Sequence, residues 1–412
     1  MNRVLVSTTR RHVPATELSG YLYVIDPTSQ KVLQRSLMIE TPYRELDTNP
    51  RGGLRGVKGI SIRPDQIAIA NSLMIFRYDP AWNLLGTIHH PSCAAVHDIA
   101  FDHDTLWVTS ARTDILLQFA LSGQLLRHYY MRESSPALRK LGWNPPLLMN
   151  GADIRNGKID FRNPLTHNQE TYDRAHLNSL CFLSNGDMLV SLGQVIGADY
   201  AGFLGINVFV MRLGLWAFVL KINRKLRSLS REAKQLKAQG ATAKDTQSGL
   251  VIRPGSSQSA VLRISHDGAH ELCLVLPGVS APSHSLLTLP DDRVIYLNTS
   301  ESAVIHFDPR MGRIISSTKV TGGFLRGACL ISENNLLLGS RGELMIFDLS
   351  RLEVVSRFQF TQDANESVYD IKLLPENYQL PPLSFEEHFM QLKDYQAGEL
   401  ITGGKPLNRG NA

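Results

Sequence analysis

Three histidines, His97, His176 and His284, stand where an apolar run begins: HDIAF, HLNSLCF and HSLLTL. Lys58, Arg326 and Tyr369 stand at the heads of similar runs, and Gly59, Asp98, Asn178, Ser285 and Asp370 follow within two residues of these heads. If these segments converge, their side chains support two chemistries. Three imidazoles from His97, His176 and His284 hold a divalent ion, Zn or Ca, with an open position that activates water or polarises a substrate. Alternatively His176 or His284 serves as catalytic nucleophile or general base, while Arg326 and Lys58 bind an anionic group such as sulfate, phosphate or carboxylate. A third reading involves no ligand. Polar residues at strand starts tie neighbouring sheets together through backbone hydrogen bonds, and Arg326 neutralises Asp98 or Asp370.

The elements that must position these residues are strands. Period-2 apolar runs bounded by turn residues recur along almost the whole chain, which predicts an all-β repeat. The clearest four-strand unit reads GISIRP, QIAIANS, LMIFRYDP and NLLGTIHH, residues 59–90. A second starts at HDIAF and a third at HLNSLCF. The fourth and fifth start at HSLLTL and RGACLI. A sixth has only VYDIKLLP near the C-terminus, and its missing partners, VLVSTT, YLYVIDP and KVLQRSL, lie at the N-terminus. His97 follows Gly59 by 38 residues, Arg326 follows His284 by 42 and Tyr369 follows Arg326 by 43. These spacings suit a four-stranded blade of about 40–50 residues. A six-bladed β-propeller closed by N-terminal strands is expected, since radial repetition leaves no long exposed sheet edge. The first strand of each blade then lines the central channel, so the polar heads look into one mouth.

HDIAFDHDTLWVTSARTDILLQF, paired with DRAHLNSLCFLSNGDMLVSLGQ, resembles a group of uncharacterised bacterial six-bladed propellers. That group is distantly similar to arylsulfate sulfotransferases and NHL-type propellers. The resemblance is good over residues 59–194 and rests on pattern beyond them. It implies a channel mouth where histidines and an arginine serve sulfuryl transfer, one histidine being the transient acceptor. The matching positions are His97, His176, His284 and Arg326. The chain departs from the sulfotransferases in having no evident cysteine pair or secretion signal. Propeller lyases of the peptide-amidating and streptogramin-cleaving kinds look similar in another way, with histidines, a tyrosine and an arginine around a metal. Gluconolactonase-type propellers use acidic and asparagine ligands, for which Asp98, Asn178 and Asp370 would serve.

Two long gaps interrupt the repeat. Residues 131–173 form a loop insertion rich in Pro, Asn and Gly, of the length that caps binding mouths; Trp143, Arg155 and His167 are its lid candidates. The second gap splits the third blade between its second and third strands. Residues 201–220, AGFLGINVFVMRLGLWAFVL, are apolar apart from Asn207 and Arg212, and the next twenty residues are strongly basic. This helical hairpin over 201–240 is expected either to lie on a membrane surface or to pack on protein. On the membrane reading Phe203, Phe209, Trp216 and Phe218 enter the interface, and Arg224 and Lys225 meet anionic headgroups. The propeller thus comprises 1–200 and 250–375, followed by a tail over 376–412 in which Ser384 and Glu387 match a helix capping box.

Cys93, Cys181, Cys273 and Cys329 show neither zinc-knuckle nor disulfide-framework spacing and read as free thiols. MNRVLVSTTRR has no signal-peptide core, so a cytoplasmic protein, peripheral on a membrane, is expected. Net charge is only +5 and the basic arm lacks interleaved aromatics, which disfavours nucleic acid as a partner. Two functions remain open at this point. One is an enzyme acting in the mouth on a small anionic or carbonyl substrate, as a metal-dependent lyase or hydrolase or a sulfotransferase-like catalyst. The other is a scaffold for a protein or glycan partner, localised by the hairpin.

Overall fold

Alternating and fully apolar strand segments assemble into six four-stranded antiparallel sheets. The computed structural model describes residues 3–14, 16–38, 41–46, 54–131, 136–141, 159–163, 173, 175–195, 258–320 and 323–385. Blade I contains β4 (Ile60–Ile62), β5 (Ile67–Ala70), β6 (Met74–Tyr78) and β7 (Leu84–His89). Blade II contains β8 (Val96–Asp102), β9 (Thr105–Ser110), β10 (Ile115–Ala120) and β11 (Leu125–Tyr130). Blade III contains β12 (Leu177–Phe182), β13 (Met188–Val195), β14 (Gln258–Ile264) and β15 (His270–Leu276). Blade IV contains β16 (His284–Thr288), β17 (Val294–Asn298), β18 (Ala303–Asp308) and β19 (Arg313–Lys319). Blade V contains β20 (Ala328–Leu330), β21 (Asn335–Gly339), β22 (Glu343–Asp348) and β23 (Glu353–Gln359).

Blade VI is assembled from both ends of the chain. Its inner strand β24 (Glu366–Leu374) pairs with β1 (Arg3–Arg10), which is followed outward by β2 (Tyr21–Asp26) and β3 (Lys31–Leu37). The protein is a six-bladed β-propeller, closed as the repeat arithmetic predicts. Middle strands are buried on both faces, as in IAIA of β5 and VIYLN of β17, whereas outer strands such as β19 are largely exposed. Apolar side chains collect between adjacent blades: Leu116 with Leu177 and Val190 between II and III, Leu189 with Tyr296 between III and IV. Each sheet face therefore becomes interior by packing on its neighbour.

A recurrent polar device ties the inner strands together. Asp370 of blade VI accepts the Ile60 N–H of blade I at 2.9 Å, and Ser61 accepts the Phe101 N–H of blade II at 2.9 Å. Asp98 accepts the Leu180 N–H of blade III at 3.1 Å, Ser179 accepts the Leu286 N–H of blade IV at 2.9 Å, and Ser285 accepts the Gly327 N–H before β20 at 2.9 Å. Bulges at Val96/Ile99, Leu177/Leu180 and His284/Leu286 turn Asp98, Ser179 and Ser285 out of the regular pleat.

Parts of the first insertion pack on the flank of the ring. Phe161 is buried in the core of blades I and II, and its N–H reaches the Pro91 carbonyl at 2.9 Å. Trp143, Arg155 and His167 lie outside the described residues, as does the whole hairpin over 201–240, including Phe203, Phe209, Trp216, Phe218, Arg224 and Lys225. Among the described residues no helix is long and apolar enough to cross a membrane. In the tail, Ser384 forms a parallel bridge with Leu37 while Phe385 packs against Tyr78 and Trp82; Glu387, the other half of the expected capping box, lies outside the described residues.

Candidate functional site

Every inner strand delivers one side chain of its opening residues to the same end of the channel. Lys58 comes from blade I, His97 from II, His176 from III, His284 from IV, Arg326 from V and Tyr369 from VI. The ligand-capable nitrogens of His97, His176 and His284 lie within 4.8 Å of one another. The ring centroids of His97 and His176 are 4.8 Å apart, edge to face, and those of His97 and His284 are 6.4 Å apart, stacked. Tyr369 forms a platform beside them: the Arg326 guanidinium carbon lies 3.4 Å from its ring centroid and Lys58 Nζ 5.7 Å from it. His97 is 9% exposed, His284 5% and Lys58 3%, while the His176 side chain is 24% exposed and stands nearest solvent.

Hydrogen bonds assign a different role to each imidazole. Thr299 Oγ1 donates its one proton to the Leu325 carbonyl at 2.9 Å, so at 2.8 Å from His284 Nδ1 it accepts. His284 therefore carries its proton on Nδ1 and keeps a lone pair on Nε2. His176 Nδ1 donates to Asp173 Oδ2 at 2.6 Å, which likewise leaves Nε2 unprotonated in the neutral ring. His97 is reversed. Arg326 Nη2, which only donates, lies 3.2 Å from His97 Nδ1, so that nitrogen accepts and the proton of the neutral ring sits on Nε2. His176 also holds φ +50, a left-handed backbone that histidine tolerates better than most residues but that is uncommon at a strand entry.

Electrostatics set the mouth apart. Burial pushes Lys58 well below its ordinary range, and Arg55, Arg326, Arg112 and Arg11 push it further. Burial likewise holds His97 down, helped by Lys58, His176 and Arg326, and it holds His284 down with Arg326, His176 and Arg11. Both rings are neutral at neutral pH. One layer below, Asp98 and Asp370 face Lys372, whose ammonium lies 3.2 Å from Asp370. Burial pushes Asp98 up to about 7, Lys372 opposing and Asp370 reinforcing. Burial opposes charge on Lys372, yet Asp370 and Asp98 outweigh it and raise this lysine. Between the layers lies a cavity of about 20 Å³, space for one water-sized molecule, so anything larger must approach from the mouth.

The geometry distributes the residues expected from sequence. Lys58, His97, His176, His284, Arg326 and Tyr369 share the mouth. Asp98 and Asp370 face the cavity below while holding backbone amides, and Arg326 lies on Tyr369 and His97. Asn178 donates to the Ser283 carbonyl, and its buried Oδ1 has no hydrogen-bond partner among the described residues. Residues that escape a reading of strand heads are Thr299 and Asp173, which set the tautomers, and Arg11, Arg55 and Arg112, whose charges push Lys58 down. Asp173 had a signal, its i,i+3 spacing to His176; the others sit on different segments. Two histidines on the outer strand of blade I and in the turn after it, His89 and His90, are packed against neighbouring groups. Arg162 Nη1 reaches His89 Nδ1 at 2.9 Å, the Ser92 N–H bonds His90 Nδ1 at 3.1 Å, and burial pushes both imidazoles down to about 4. His306 is buried as well.

No protein-family model matches the chain, and no curated protein does. Solved structures that resemble it include a protein of unknown function from Bacteroides caccae, 9% identical, covering 91% of this chain and 99% of that one with a TM-score of 0.49. The nidogen/laminin complex is similar at 8% identity, with 90% and 97% covered and a TM-score of 0.49. A streptogramin B lyase is similar at 9% identity, with 76% and 71% covered and a TM-score of 0.42. At these values the likeness carries no argument about chemistry, which rests on the site alone.

Proposed function

We propose that the channel mouth binds a small anionic substrate and acts on it through histidine. The observation that carries this reading is the pair of cations Lys58 and Arg326 on the Tyr369 ring beside His176 and His284, whose Nδ1 atoms are engaged by Asp173 and Thr299 so that Nε2 faces the mouth as the free nitrogen of the neutral ring. Arg326, held 3.4 Å over the Tyr369 ring centroid, carries a planar donor fork suited to a carboxylate, sulfate or phosphate. His176, oriented by Asp173 and nearest solvent, is the nucleophile or general base of this reading, and His284 is its partner. Transfer of a sulfuryl-like group to His176 Nε2, or proton abstraction by it, both use this arrangement.

A second reading is favoured by the approach of three imidazoles within 4.8 Å. His176 and His284 are ready ligands through Nε2. His97 joins a divalent ion only after losing its Nε2 proton or its Arg326 bond, and the surrounding cations oppose a further positive charge. Metal content of the purified protein, measured beside calorimetric titration with sulfate, phosphate and acetate, separates the two. Anion binding lost in Arg326→Met, with no stoichiometric metal, supports the first reading. One bound ion, absent from a folded variant with all three histidines changed to alanine, overturns it. Binding of neither, with a protein or glycan partner retained, leaves a scaffold function.

A further inference from the structure

We propose that Lys58 is an imine-forming lysine and that the substrate is a small 2-oxo acid. The inference rests on the anion-binding reading of the same mouth and adds a covalent step to it. The molecule contains its own comparison. Lys372, the deeper channel lysine, has a carboxylate at 3.2 Å and is held as an ammonium. Lys58 is 3% exposed, and among the described residues its Nζ has no ion pair or hydrogen bond. Its Nζ lies 5.7 Å from the centroid of the Tyr369 ring, against which Arg326 packs more closely at 3.4 Å. A buried ammonium with guanidiniums near it and no carboxylate partner among the described residues is pushed towards its neutral form, and a desolvated neutral amine next to another cation is a nucleophile towards carbonyls.

The placement suggests the rest of the substrate. Arg326 Cζ and Lys58 Nζ lie 3.4 and 5.7 Å from the same ring centroid, so the span between guanidinium and amine matches a ligand that carries its carboxylate and its carbonyl close together. A 2-oxo acid carries these two groups on neighbouring carbons. The Lys58 Nζ lone pair forms the C–N bond as the C=O π pair moves onto oxygen. The two amine protons pass in turn to that oxygen through the Nε2 lone pairs of His176 or His284. The C–O bond breaks with its electron pair, the oxygen departs as water, and the nitrogen lone pair closes the C=N bond. No oxidant or reductant is needed.

The test uses the full-length protein, pyruvate as probe, lactate as the anion without a carbonyl, and sodium cyanoborohydride to trap the imine, with the modified residue located by peptide mass spectrometry. The expected result is a reduced adduct on Lys58 at pH 7, formed at least roughly ten-fold faster than on exposed lysines, whose amines are largely protonated there. Lactate slows it. The Lys58 rate is already level near neutrality, while exposed lysines keep accelerating into alkaline pH. Calorimetric binding of both anions with adducts spread only over exposed lysines overturns the imine and leaves the anion site standing. Binding of neither overturns both. The labelled position is read in the unaltered protein, so the test does not depend on whether Lys58→Met folds.

Discussion

At the scale of single residues, the site is organised by where protons sit, and each tautomer hangs on one neighbour. Thr299 accepts from His284 Nδ1 because its own proton is spent on Leu325. Thr299→Val removes that acceptor at constant shape. The expected outcome in ¹⁵N-resolved histidine spectra is a shift of His284 from a pure Nδ1–H form to a mixture, with a stability loss of about 1–2 kcal/mol and weaker anion binding. Protonation also makes a signed prediction. His97 and His284 are held below the ordinary 6.5, and His89 and His90 titrate at about 4. Below pH 6.5 the unfolded chain takes up protons that these folded rings refuse, so stability is lost as pH falls. Asp98 runs the other way: between about 7 and 3.8 the folded chain holds a proton that the unfolded chain releases. Four histidines outweigh one carboxyl, and each excess proton is worth about 1.4 kcal/mol per pH unit. The urea midpoint should therefore fall between pH 6.5 and pH 4.5; a rise would contradict the buried neutral assignment.

At the scale of elements, the inner-strand bulge is the working unit, because it turns one side chain to the mouth and the next to the neighbouring blade. In β12 this requires Gly193 on the adjacent strand: a Cβ there would fall against Asn178 and within 2.8 Å of the Ser283 carbonyl. Gly193→Ala is expected to cost about 1–3 kcal/mol by overpacking and to displace His176 with its strand, which calorimetry and anion titration on one sample would read together. How far this was legible in the sequence follows from the same unit. Runs such as HDIAF and HSLLTL announce inner strands because period-2 patterning is local, so the mouth residues could be named from their position at strand heads. The separation of His97, facing the mouth, from Asp98, facing the next blade, depends on a bulge, which leaves no local mark. Arg112 and Thr299 depend on which loop lies across the rim, and Arg162 beside His89 depends on an insertion folding back over 73 residues. Contacts of that kind are properties of the assembled ring.

At the scale of the whole molecule, the site exists only if the ring closes, since its six contributors come from six blades. Closure rests on β1 and β24, paired from Arg3↔Leu374 to Arg10↔Glu366. At the end of that seam Glu366, fully buried, accepts hydrogen bonds from Thr8 at 2.5 Å, Thr361 at 2.9 Å and Tyr23 at 3.2 Å. One carboxylate thus satisfies donors from β1, from β2 and from the loop before β24. Glu366→Ala takes the acceptor from all three hydroxyls; Thr8 falls back on the Tyr21 carbonyl at 3.2 Å and Thr361 is half-buried, so the main cost, about 1–3 kcal/mol, falls on the buried Tyr23 hydroxyl. Glu366→Gln keeps an acceptor oxygen and should lose less. Because the blades share continuous apolar packing, opening one seam removes support from blades I and V as well, and the loss should appear as a lower temperature for a single transition rather than as a separate early one. Calorimetry of the two variants checks this. A distinct low-temperature transition in Glu366→Ala, with Lys58 still labelled by pyruvate, would show that the mouth survives an open ring and that closure serves stability alone.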